Sequence, residues 1–226
     1  MESHARQAFS IEIQGLEHDL LAMGSRAETM VAQAVECLNK LDTPLAHSVM
    51  ALDDDLDQMD LDIEAHCLRL LALQQPMASD LRVIGTVMKM ITDVERIGDL
   101  SVDIAKISLK IEKEFGDTRF VDIPHMAVLA RSMLRESLEA FVRRDLDMVA
   151  EVARKDDEVD AVYRDLREQI FEHMRHHPES VVAASWLLLA IHHIERIADH
   201  AVNIAERVAF MVTGKLEQLG GLEPTS

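Results

Sequence analysis

Apolar residues recur at three- and four-residue steps along nearly the whole chain, the period of a helix with one buried face. Leu81, Ile84, Met88 and Ile91 make one such stripe, and Val181, Ala184, Leu188 and Ile191 make another. Breakers cut the pattern into six predicted helices. The first runs from about Arg6 to Leu41 and stops before Thr43-Pro44. The second continues to about Gln75, where Pro76 imposes a turn, and the third reaches about Glu114. The fourth spans about His125 to Arg143 and the fifth about Asp145 to His176; the sixth follows Pro178 and frays near Gly214. Gly116, Asp117 and Pro124 form the one long polar break. Residues 116–123 are therefore expected to link two units, 1–115 and 124–214, ahead of a flexible tail at 215–226. Short turns make consecutive helices antiparallel. The expected fold is all-α, two similar antiparallel three-helix bundles.

The similarity of the halves is read from a repeat. Asp93-Val94-Glu95-Arg96-Ile97-Gly98-Asp99 is echoed one hundred residues later by His193-Ile194-Glu195-Arg196-Ile197-Ala198-Asp199, and Asp103-Ile104-Ala105 by Asn203-Ile204-Ala205. A repeat of this length marks a duplicated structural unit. Each core stripe, continued, passes through Glu95 or Glu195, then Gly98 or Ala198, then Val102 or Val202. A carboxylate on a buried line is costly unless paired or coordinated. The small residue one turn later leaves room for something beside it.

Asp99 and Asp103 follow Glu95 at four-residue steps and project from one helical face. Glu195, Asp199 and Asn203 repeat the spacing, with His192 three residues ahead of Glu195. The second helix carries Asp53 and Asp57, the fifth Asp156 and Asp160, each pair again four apart. Heights along the hairpins match. Asp57 lies nineteen residues before Pro76 and Glu95 nineteen after, while Asp53 and Asp99 are each twenty-three away. About Pro178, Asp160 and Glu195 are eighteen and seventeen residues off, Asp156 and Asp199 twenty-two and twenty-one. With equal rise and axes ~8–10 Å apart, each half is expected to bring two acidic pairs to one cation. Oxygen donors with one His suit Fe, Mn, Mg or Ca, and Zn less well. The competing reading is a solvated acidic face with Arg96 and Arg196 as ion-pair partners. Met77, Met88 and Met90 are expected to fill core, His176-His177 to sit in a turn, and His200 to point off the acidic face.

Composition narrows the class. Eight Gly, five Pro and 4% aromatic residues fit helices better than a sandwich or barrel. A net charge of −18, from 41 acidic and 23 basic side chains, repels phosphate backbones and argues against nucleic-acid binding. Cys37 and Cys67 lack zinc spacing and read as buried thiols in a reducing cytoplasm. The polar start, Met1-Glu2-Ser3-His4-Ala5-Arg6, shows no export signal. The longest apolar stretch, Val181 to Ile191, falls short of the ~20 residues of a membrane span. A cytoplasmic chain without a membrane span is expected.

Three segments together resemble the PhoU family of bacterial phosphate-uptake regulators: Leu73-Gln74-Gln75-Pro76-Met77-Ala78-Ser79-Asp80-Leu81-Arg82, Glu95-Arg96-Ile97-Gly98-Asp99, and Glu195-Arg196-Ile197-Ala198-Asp199-His200-Ala201-Val202-Asn203-Ile204-Ala205-Glu206. The resemblance spans almost the whole chain. It implies two three-helix bundles, often dimeric, whose acidic motifs can hold metal clusters; those motifs fall on Glu95/Asp99 and Glu195/Asp199, faced by Asp53/Asp57 and Asp156/Asp160. It also implies contact with the phosphate ABC transporter ATPase and the phosphate-regulon sensor histidine kinase. Asp80-Leu81-Arg82 has no counterpart at Glu179-Ser180-Val181, so the halves need not be functionally equal. The leading expectation is a non-enzymatic regulator. Two other classes compete with it. A carboxylate-bridged metalloenzyme of the ferritin type needs Glu-x-x-His motifs, which this chain lacks; the third class is a metal-free helical scaffold.

Overall fold

The computed structural model describes residues 2–73, 77–114 and 120–215. They form six helices: α1 (Glu2–Lys40), α2 (Thr43–Leu73), α3 (Ala78–Lys113), α4 (Ile123–Arg143), α5 (Leu146–His176) and α6 (Val181–Thr213), with one 3-10 turn at Pro178–Ser180. No strand occurs among the described residues. The turn at Pro76, the linker residues Gly116 and Asp117, and the tail from 216 onward lie outside them.

Local chemistry sets the helix ends. The Asp122 carboxylate accepts the His125 backbone N–H at 3.2 Å, and Pro124 occupies the first turn, where a missing N–H costs nothing. Helix α4 therefore starts at Ile123, not at His125, and Pro124 belongs to the helix rather than to the linker. Asp145 caps α5 by accepting from the N–H groups of Asp147 and Met148 at 2.9 and 3.2 Å. Gly214 closes α6 in the left-handed region, at φ 74°.

Within each half the three helices pack on one another, and the halves meet through α3 against α6 and α1 against α4. Helices α2, α3, α6 and α5 thus lie side by side in that order, with α1 and α4 behind them. One apolar core runs through both halves. The α3–α6 seam is antiparallel and centred on Gly98 and Ala198. Asp93, five residues before Gly98, meets Asn203, five after Ala198, at 3.5 Å. Lys110, twelve after Gly98, covers Trp186, twelve before Ala198, at 3.9 Å. Arg82, sixteen before Gly98, lies against Gly214, sixteen after Ala198. The repeat in the sequence is therefore a pseudo-twofold in space.

Burial corrects three core assignments. Ile84 and Ile91, Ala184 and Ile191 are buried as the stripes require, but Leu81 and Val181 are 51% and 41% exposed. Both lie in the first turn of their helices. Met77 is likewise exposed, whereas Met90 is fully buried. Both cysteines are buried and free. Burial raises the Cys37 thiol and pushes Cys67 up to about 12, so neither presents a thiolate near neutrality. Helix α6 with its preceding turn, Pro178–Thr213, is long and apolar enough to cross a membrane by length and composition, yet half of its most apolar window is packed inside the bundle.

Candidate metal sites

In the first half, close packing of α2 on α3 creates the acidic site. Gly98 lets the helices approach: a Cβ there would overlap Leu56 Cδ2 and stand 3.6 Å from Asp53 Oδ1. The predicted levels meet. Burial, then Asp57 and Asp99, push Asp53 above the usual carboxylate range. Glu95 is raised by burial and by Asp99, with smaller effects from Asp60 and Asp57 on the facing helix. Arg96 opposes this, donating from Nη1 to Asp99 Oδ2 at 2.7 Å and placing Nε 3.5 Å from Glu95 Oε2.

The second half repeats the design, with His192, His200 and Arg196 as the opposing groups. Asp156 is pushed up to about 6 by burial, then by Asp160, Asp199, Asp157 and Glu195. Glu195 is raised by burial and by Asp199, against the opposing effect of His192, whose Nδ1 stands 3.2 Å from Glu195 Oε2. That oxygen is buried and has no well-formed hydrogen bond. Burial and Asp160 also raise Asp199, while His200, His192 and Arg196 pull the other way. Tyr163 of α5 flanks His192, their ring centroids 6.4 Å apart.

Two candidates lie elsewhere. Asn203 donates from Nδ2 to Asp93 Oδ1 across the seam, and His200 Nδ1 stands 2.9 Å from the same oxygen. Asp103 pairs with Lys106 at 3.6 Å and acts electrostatically on His193, its seam counterpart. Asp103 and Asn203 are thus seam residues, because four-residue steps drift around a 3.6-residue helix by the second step. Burial lowers His193 and leaves its Nδ1 without a partner. Reading the sequence missed Asp60. Burial, Glu64 and Asp57 raise it, its Oδ1 is buried and orphaned, and it faces Glu95. Its position seven residues after Asp53, two turns on the same face, was the available signal.

These sets fit a hard cation by chemistry: oxygen-rich, mutually repelling, with a buried orphan oxygen on Asp60 and a buried Glu195 oxygen whose near polar neighbour is His192. Among the described residues, no three His, Cys, Asp or Glu side chains converge closely enough to hold an ion in the rotamers they adopt. An ion would therefore have to draw side chains inward.

Comparison with known proteins follows the same division into halves. The chain matches the family model of the PhoU domain twice, over residues 20–108 and 123–208. It is 36% identical over 212 residues to the phosphate-specific transport system accessory protein PhoU homolog of Pseudomonas putida, covering 93% of this chain and 83% of that protein. The crystal structure of PhoU from Pseudomonas aeruginosa superposes with a TM-score of 0.86 at 36% identity, over 92% of this chain and all of that one. The phosphate transport system regulatory protein PhoU of Streptococcus pneumoniae gives 0.84 at 32% identity, over 92% and 99% of the two chains.

Proposed function

Because the chain belongs to the PhoU family, we propose that it is a non-enzymatic accessory of phosphate transport. In this reading it acts as a cytoplasmic homodimer. It restrains uptake and starvation signalling by contacting the phosphate ABC transporter ATPase and the phosphate-regulon sensor histidine kinase. The observation that carries the reading is the family match over both halves, to relatives named as accessory or regulatory proteins. The acidic helical surface is compatible with it, since charge complementarity serves encounter and specificity in protein contacts. Deleting the gene in its own host under phosphate-replete conditions should derepress the starvation response and raise uptake. A response that stays off, with neither partner retained in pull-downs, returns the chain to a bare scaffold.

Metal belongs to the same proposal. Asp53, Asp57, Glu95 and Asp99 would hold one site, and Asp156, Asp160, Glu195 and Asp199 with His192 the other. Bound, an Fe, Mn or Mg ion supplies the positive charge these carboxylates lack. Arg96 already neutralises part of the first site, so the second should bind more tightly. Glu195→Ala/Asp199→Ala should lower metal content by about half or more, and Glu95→Ala/Asp99→Ala by less. Metal content unchanged in both double variants would mean the acids form only a solvated face.

A further inference from the structure

We propose that one end of the α3–α6 seam is a docking surface for an anionic lipid membrane. This chain is acidic, yet three of its seven lysines, Lys106, Lys110 and Lys113, fall on one exposed stripe of α3 at four- and three-residue steps. Beside them, across the seam, α6 presents an apolar stripe with the same spacing. Val182 is 52% exposed, Leu189 is 38% exposed, and the half-buried Trp186 lies between them. The stripes are physically joined, since the Lys110 ammonium sits 3.9 Å from the Trp186 ring centroid. Trp186 is the only tryptophan in the chain.

Exposed aliphatic side chains, an amphipathic tryptophan and flanking lysines on helices lying in one layer are what an interfacial helix uses to sit at headgroup depth. The apolar residues enter the acyl boundary, and the lysine stems lie along it with their ammonium groups at the phosphates. Acids near the patch offset it in part: Asp103 pairs with Lys106 at 3.6 Å, which leaves Lys110 and Lys113 as its main positive charges. Glu112 is two residues from Lys110 and therefore on another side of the helix, leaving Glu114 at the helix end. Lys106 lies within electrostatic reach of Asp53 of the first acidic site, whereas Lys110 is farther off: Asp99 is eleven residues from it, ~16 Å along the helix and about twice the Debye length at physiological salt. The net charge of the whole chain is −18, and its uneven distribution orients the molecule, turning this end toward a negative surface and the rest away.

The inference does not depend on the regulatory reading, because lipid binding is measured with no transporter present. The probe is Trp186 emission together with co-sedimentation of the full chain, using phosphatidylcholine vesicles and vesicles containing phosphatidylglycerol. Phosphatidylglycerol should shift emission to the blue and carry the protein into the pellet, while phosphatidylcholine alone should do neither. The Lys106→Gln/Lys110→Gln/Lys113→Gln variant should partition about tenfold or more weakly, and binding should weaken with added salt. Val182→Ser/Leu189→Ser should lose the blue shift with circular dichroism unchanged. Absence of both signals with phosphatidylglycerol, or equal partitioning of the lysine variant, would overturn the proposal. So would a blue shift that grows with protein concentration alone, accompanied by a doubled mass, since the patch would then be a contact between copies of the chain.

Discussion

Asp156 is held at about 6 by burial and by the carboxylates of Asp160, Asp199, Asp157 and Glu195, so ionising it costs more in the folded state than in the unfolded one. Well below the unfolded value, at about pH 3, both states carry the proton and no penalty exists. As pH rises through 6 the folded state must ionise against its neighbours, and stability is lost. Asp156→Asn should therefore stabilise the metal-free protein at pH 7.5 by on the order of 1 kcal/mol, allowing for solvent screening of a half-buried site. The gain should shrink as pH falls and vanish at about pH 3, as read by urea unfolding across the series; an undiminished gain at about pH 3 would point to packing instead. Arg144 tests a different balance. It sits at φ 58°, a conformation costing ~1–2 kcal/mol for a non-glycine residue. From there it donates to Glu17 Oε1 at 2.6 Å and to Met211 Sδ at 2.7 Å, tying α4 to α1 and α6. Arg144→Ala should cost about 1–2 kcal/mol in thermal unfolding, and Arg144→Gly less, because glycine relieves the strain as it loses the bonds. At this scale the sequence was legible where chemistry repeats with a helical period. Glu95 and Glu195 come within electrostatic reach of their facing acids, though no three of these side chains converge on one point among the described residues. Asp93 was not legible as a seam residue, because its partners His200 and Asn203 lie more than a hundred residues away.

Helices were readable from periodicity because each stripe is long, whereas their ends were not. Asp122 is the α4 cap only because its side chain reaches the His125 N–H, and Leu81 and Val181, in the first turns of their helices, lie outside the core. Both facts belong to the packing of elements, not to the pattern along one of them. Gly98 shows the same dependence in energy. A helix gains ~1 kcal/mol when glycine becomes alanine, but here the added Cβ overlaps the fully buried Leu56. Overpacking of this kind costs ~1–3 kcal/mol, so Gly98→Ala should come out destabilising by about 1 kcal/mol in chemical denaturation. Gly85, where a Cβ meets nothing within 4 Å, is the control: Gly85→Ala should be stabilising by a few tenths to about 1 kcal/mol.

For the molecule as a whole, 41 acidic side chains against 23 basic ones set a self-repulsion that compactness must overcome. Sodium chloride should raise the melting temperature by screening it. Magnesium or manganese at equal ionic strength should raise it by several degrees more where ions bind the folded state, because binding adds to stability by mass action. Equal effects of the two salts at matched ionic strength would leave screening as the whole explanation. The seam that joins the halves has a further consequence. Positions equally spaced about Gly98 and Ala198 face one another, as they do when two identical subunits meet on a twofold axis. A single three-helix ancestor would have made this contact with its own twin, and the chain is in effect that ancient dimer fused end to end. Fusion released each side from its mirror image. His193 now stands where its counterpart is Asp93, Asn203 where it is Asp103, and Trp186 where it is Thr86. A symmetric pair could not have kept a lipid-facing tryptophan at one pole only.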